Sequence, residues 1–119
     1  DTYGHPFGNV VLKEVSAILI QNIRVGVDMP ARFGGEELVV VLPHTEAPGA
    51  EIVAQRIRKQ VESLALKAND QVVKITISGG IACFPTHADD GETLLKKADE
   101  ALYAAKEQGR NRIITATIG

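Results

Sequence analysis

Two neighbouring carboxylates placed directly after two glycines are the residues of this chain best suited to chemistry. They lie in the stretch Arg32-Phe33-Gly34-Gly35-Glu36-Glu37-Leu38-Val39-Val40-Val41-Leu42-Pro43. Paired glycines supply the positive φ angles of a tight hairpin turn, and with no Cβ they let a ligand approach the backbone. Leu38 to Leu42 is an unbroken apolar run of strand formers, the pattern of a strand buried on both faces. Glu36 and Glu37 therefore stand at the rim of a buried sheet. Side chains alternate along a strand, so the two point in different directions and take different tasks. A carboxylate at such a rim suits a hard cation such as Mg²⁺, which prefers oxygen ligands and bridges to substrate phosphates. Taken alone, so short a motif reads better as the acidic tip of a solvated hairpin. Near the other end, Lys106 and Arg110 sit four residues apart across the end of a helix, where they can project to one side. Their bland reading is charge that complements the negative end of that helix.

The elements that must position these groups follow from periodicity. Val11, Val15, Ile18 and Leu19 predict a first helix from about Gly8 to Asn22. Arg24 to Pro30 reads as a turn followed by an extended segment entering the hairpin, since Gly26 and Pro30 both oppose a helix. A second helix follows Pro43, capped by Thr45 and with Pro48 in its first turn. Ala50, Val53, Ile57 and Val61 form its buried stripe, while Arg56, Arg58, Lys59 and Glu62 form its wet face. Leu64 to Gln71 is a polar connection, and Val72 to Phe84 is a strand in which Gly79-Gly80 marks a bulge or a close backbone approach. Asp89-Asp90-Gly91-Glu92 offers an Asp-x-x-Glu capping box. The helix that follows carries Leu95, Ala98, Leu102 and Ala105 on one stripe and ends at Gly109. Arg110 to Ile118 returns as the last strand. Together these elements make an α+β sandwich.

Length and composition narrow the classes. A chain of 119 residues with 45% hydrophobic and 24% charged residues is one ordinary globular domain. Its formal charge of −2 offers no overall attraction to nucleic acid or to an anionic membrane, so an anionic substrate needs a local positive field. No apolar stretch approaches the roughly 20 residues that span a bilayer, and no signal peptide is visible. Cys83 is the one cysteine, which excludes an internal disulfide; a small buried side chain in an apolar strand is its expected role. A cytoplasmic location suits all of this, although a parent protein can still be membrane-anchored.

Four stretches, in order and in register, resemble the GGDEF domain of diguanylate cyclases. Gly34-Gly35-Glu36-Glu37-Leu38 resembles the signature in its Glu-Glu version. Asp1-Thr2-Tyr3-Gly4-His5-Pro6-Phe7-Gly8-Asn9 resembles the N-D-x-x-G-H-x-x-G-D loop without its first Asn, and Thr76 to Ala82 resembles T-x-S-x-G-x-A. Ala98 to Arg112 resembles the closing A-D-x-A-L-Y-x-A-K-x-x-G-R-N segment, the most specific of the four. The resemblance implies a single domain over residues 1–119 that lacks the family's first strand. It also implies the palm-like nucleotidyl cyclase fold, an antiparallel central sheet flanked by helices with the hairpin presenting the catalytic acids.

The activity implied is condensation of two GTP molecules into cyclic di-GMP with release of pyrophosphate, by a homodimer and with Mg²⁺ or Mn²⁺ as cofactor. By resemblance Glu36 is a metal ligand, and Glu37 lies at the same site as an outer ligand, a ribose contact or a base. Gly34, Gly35, Lys106 and Arg110 contact substrate, Lys106 and Arg110 through its phosphates. Asp99, Tyr103 and Asn111 read mainly as structural, and His5 as a hydrogen-bonding loop anchor. Asn9 stands where the family has an Asp that reads the guanine edge; an amide offers guanine's paired donors one acceptor instead of two. The family's inhibitory Arg-x-x-Asp becomes Arg24-x-x-x-Asp28 here, one residue out of step, so weak binding of cyclic di-GMP is expected there. Leu38 replaces the signature Phe, a volume-tolerant exchange. Three readings stay open: a cyclase catalytic domain under an upstream regulatory domain, a degenerate module that binds GTP or cyclic di-GMP without turnover, and a structural fragment with little activity of its own.

Overall fold

The computed structural model describes residues 4–32, 37–68 and 70–117. Its elements run α1 (Gly4–Asn22), β1 (Met29–Arg32), β2 (Leu38–Val41), α2 (Ala47–Glu62), β3 (Leu66–Ala68), β4 (Gln71–Val73), β5 (Gly79–Ile81), α3 (Gly91–Glu107) and β6 (Ile113–Thr115). Strands β1–β2 and β3–β4 pair antiparallel and β5–β6 pair parallel. The α+β class read from the sequence holds. The sheet departs in detail, being three strand pairs with the last of them parallel.

The core lies where the two apolar stripes meet. Val15, Ile18 and Leu19 of α1 pack against Ile57 and Val61 of α2, with Leu38 and Val40 of β2 closing one side. Val61 has no exposed surface. On the other side α3 rides unusually close to β5. A Cβ at Gly80 would collide with backbone atoms of Ala98, Ala101 and Leu102, so only glycine admits this approach. Ala101 and Ala105, both buried, keep the same face of α3 slim. Among the described residues no helix is long and apolar enough to cross a membrane.

Several boundaries differ from the sequence reading, each for a local reason. The first helix begins at Gly4, before the expected Gly8, and takes in the backbone at His5. The second helix is capped at Glu46, not Thr45, and Glu46 makes no side-chain cap bond. Thr45 Oγ1 instead donates to the Pro43 carbonyl and accepts from Arg24; Pro48, lacking an N–H, leaves one donor fewer to cap. For α3 the box is displaced by one residue: Asp90 is the cap and accepts from the Thr93 N–H at 2.7 Å.

The strand expected over Val72–Phe84 is divided into β4 and β5. Between them Ile75 and Ile77 turn inward and Lys74 and Thr76 outward, so the period of two is present. That segment has no ladder partner among the described residues. Leu66, read as part of a connection, is buried and opens β3 opposite Val73. Strand β6 starts at Ile113 because Arg110 and Asn111 hold left-handed backbone, φ 63° and 49°, outside the strand region.

Candidate active site

The hairpin aligns Met29 with Val41 and Arg32 with Leu38. Gly34, Gly35 and Glu36 lie outside the described residues. Glu37, the last residue before β2, is exposed and stands on the wall of a cavity of about 1770 Å³. That wall is formed by β2, β5, the inner face of α2 and the first three turns of α3, and it includes Glu92 and Asp99. Cys83, half-buried rather than fully buried, borders the same cavity.

The donor chemistry at Glu37 fits a hard divalent cation, but Glu37 alone does not hold one. Among the described residues no three of His, Cys, Asp and Glu come together as a metal site. Any such site would need further oxygen donors beyond those described.

The basic pair is built by the end of α3. Gln108 closes the helix, Gly109 follows at φ 118°, its N–H donating to the Lys106 carbonyl and that of Arg110 to the Ala105 carbonyl. This double bond pattern is a Schellman turn, which satisfies the last free carbonyls and needs a residue without Cβ at Gly109. Lys106 is exposed in the last turn of α3, and Arg110 is exposed just past it. Neither borders the cavity that Glu37 lines. The structure thus brings Glu37 to the cavity and sets Lys106 in the last turn of α3 and Arg110 just past it. Asn9 is exposed on α1 and does not border that cavity.

Arg24 and Asp28 do meet, but they meet each other. The guanidinium Nη2 is 2.7 Å from Asp28 Oδ1, and its Nε lies 3.1 and 3.2 Å from the two carboxylate oxygens. The Arg24 backbone N–H also donates to Oδ2 at 2.7 Å. The same Nη2 reaches the Pro43 carbonyl at 2.8 Å and Thr45 Oγ1 at 2.9 Å. Asp28 is 3% exposed at its side chain, and the Arg24 hydrogen bonds hold its carboxyl below the usual carboxylate range. One side chain therefore ties the 24–28 turn to the chain entering α2.

The sequence reading missed a second polar cluster. Arg58, assigned to the wet face of α2, is 16% exposed at its side chain. Its Nη1 donates to Asn111 Oδ1 at 3.0 Å, and Asn111 Nδ2 donates to Glu62 Oε2 at 2.6 Å. The available signals were the i, i+4 spacing of Arg58 and Glu62 and an Asn two residues after a cap glycine.

Comparison with known proteins gives this geometry a context. The family profile described as "Diguanylate cyclase, GGDEF domain" matches residues 1–112. Diguanylate cyclase A of Treponema denticola is 41% identical over 113 residues, which cover 95% of this chain and 30% of that protein. The response regulator PleD of Caulobacter vibrioides is 40% identical over 116 residues, covering 96% of this chain and 25% of that protein. The chain thus spans less than a third of these relatives' length. The GGDEF domain of DgcB from Caulobacter crescentus, solved in complex with c-di-GMP, superposes with a TM-score of 0.87 at 33% identity. That match covers 97% of this chain and 68% of the other.

Proposed function

The chain belongs to the GGDEF domain family of diguanylate cyclases, and on that footing we propose that it is the catalytic domain of a working cyclase. In the reaction, the 3′-hydroxyl of each of two GTP molecules attacks the α-phosphate of the other, and pyrophosphate leaves twice. The observation that carries the reading is the hairpin register, with Arg32 opposite Leu38 and Glu37 at the cavity rim. Glu36 would hold Mg²⁺ or Mn²⁺, which when bound offsets phosphate charge and brings the attacking oxygen into line, with Glu37 at the same site as an outer ligand, a ribose contact or a base. Gly34 and Gly35 let the nucleotide approach the turn, and Lys106 and Arg110 draw its phosphates. Two copies must face each other, because each supplies one nucleotide to the shared product. A regulatory domain upstream would control that pairing, in a protein whose catalytic part is cytoplasmic.

We further propose that the cavity beside β2 receives an extended apolar segment. Strands β2 and β5 each have one hydrogen-bonded neighbour among the described residues, and both line that cavity. An extended apolar segment seated there would pair with both. The Arg24–Asp28 pair is occupied internally, which supports weak binding of cyclic di-GMP at that position.

A second reading rests on Asn9: a receptor that holds GTP or cyclic di-GMP without turnover. Incubating the full-length protein with Mg²⁺ and GTP, followed by chromatography, separates the two. The catalytic reading expects cyclic di-GMP from the native protein and none from Glu36→Gln. GTP binding without product in the native protein would leave only the receptor.

A further inference from the structure

The turn after α3 holds two non-glycine residues in left-handed backbone, Arg110 at φ 63° and Asn111 at φ 49°. Asparagine visits that region readily and arginine rarely, so something outside the turn must keep it there. The Asn111 amide is the anchor. Its carbonyl oxygen accepts from Arg58 Nη1 at 3.0 Å and its NH₂ donates to Glu62 Oε2 at 2.6 Å. Reversing the amide would set oxygen against carboxylate and NH₂ against guanidinium, so only one orientation satisfies both. Arg58 is itself steadied by Gln55 Oε1, which accepts from its Nε at 2.8 Å, and by Glu62 Oε1 at 3.7 Å. On the backbone side the Asn111 N–H donates to Ser78 Oγ at 3.1 Å. The turn is gripped from α2 and from the chain entering β5.

We propose that Arg58 and Glu62 are positioning residues for Arg110, holding through the Asn111 amide the left-handed turn that aims its guanidinium at a nucleotide phosphate. This rests on the reading of Arg110 as a phosphate contact. Arg58 acts through Asn111 in this arrangement, with its Nε and Nη1 committed within the protein. Loosening the turn lets Arg110 sample other directions, and the loss falls on nucleotide affinity.

The test uses the full-length protein with GTP and Mg²⁺, following GTP affinity by calorimetry and backbone amide exchange at residues 110 and 111. Arg58→Ala is expected to weaken GTP binding roughly tenfold, the size of one charge-assisted hydrogen bond, and to speed exchange at both amides. In an Arg110→Ala background Arg58→Ala should cost nothing further, since coupled residues are non-additive. Should Arg58→Ala not fold, Glu62→Ala, at a half-exposed position, is expected to show the same coupling. Additive losses, or unaltered exchange at residues 110 and 111, would overturn the positioning role alone. Arg110→Ala with native GTP affinity would overturn the phosphate reading and the positioning role together.

Discussion

Asn9 is exposed on α1, placed to be changed without disturbing the core. If position 9 reads the base, a carboxylate there would pair with both donors of a guanine edge, and hydrogen bonds to charged groups contribute about 1.5–3 kcal/mol against about 0.5–1.5 for neutral ones. Asn9→Asp in the full-length protein is therefore expected to lower KM for GTP roughly tenfold with a modest change in kcat. ATP should gain nothing, because adenine presents a different edge; unchanged GTP affinity would show that Asn9 does not contact the base. Gly80 poses the opposite case, a position with no room at all. Gly80→Ala forces its Cβ into the α3 backbone, and we expect a loss of about 1–3 kcal/mol in urea denaturation. Residue types were the most legible layer of this chain. The glycine pair at 79–80 announced a close approach, and Gly109 announced a helix end. Which backbone Gly80 would meet was not legible, because α3 comes to it from a distant part of the sequence. Arg58 was misread for the same reason: its partner Asn111 lies 53 residues away.

At the scale of elements, two aspartates hold local structure through ionised carboxylates. Asp28 is kept below the usual range first by the Arg24 side chain, and Asp90 first by the Thr93 backbone N–H. A lowered folded pKa means that the contribution is complete above the ordinary Asp value, roughly 3.9. It is lost as pH falls through the lower folded value. Tm should therefore hold level down to about pH 4 and then drop. Asp28→Asn and Asp90→Asn should each lower Tm at neutral pH and flatten the acid slope; native slopes in both would remove the assignment. Gly109→Ala, at φ 118° and with Arg112 Nη2 3.1 Å from the added Cβ, should cost roughly 1–2 kcal/mol. Long amphipathic helices were legible because many residues vote for one period. Strands were less so. Leu66–Ala68 is too short to display alternation, and residues 74–78 alternate without a ladder partner among the described residues. The cap at Asp90 was misplaced by one because two aspartates adjoin.

Taken whole, the chain has a radius of gyration of 14.8 Å, against roughly 13.5 Å expected for a packed domain of this length. A cavity lies between β2, β5 and α3. A longer version of the protein that supplies an apolar strand to this space should be markedly more stable than the 119-residue chain. Each fully buried Val, Leu or Ile adds about 1.5–3 kcal/mol. Comparing urea midpoints and m-values of the two checks this, and equal values would sink the assignment of the cavity. β2 and β5 have a further effect when nothing covers them. An unpaired strand edge is a template for any extended apolar segment, and a second copy of the same chain carries several. Solubility of the 119-residue chain would then be governed at these edges and not by its charge of −2. Concentrating it should drive strand exchange between molecules, and a lysine placed on β2 should hold it monomeric.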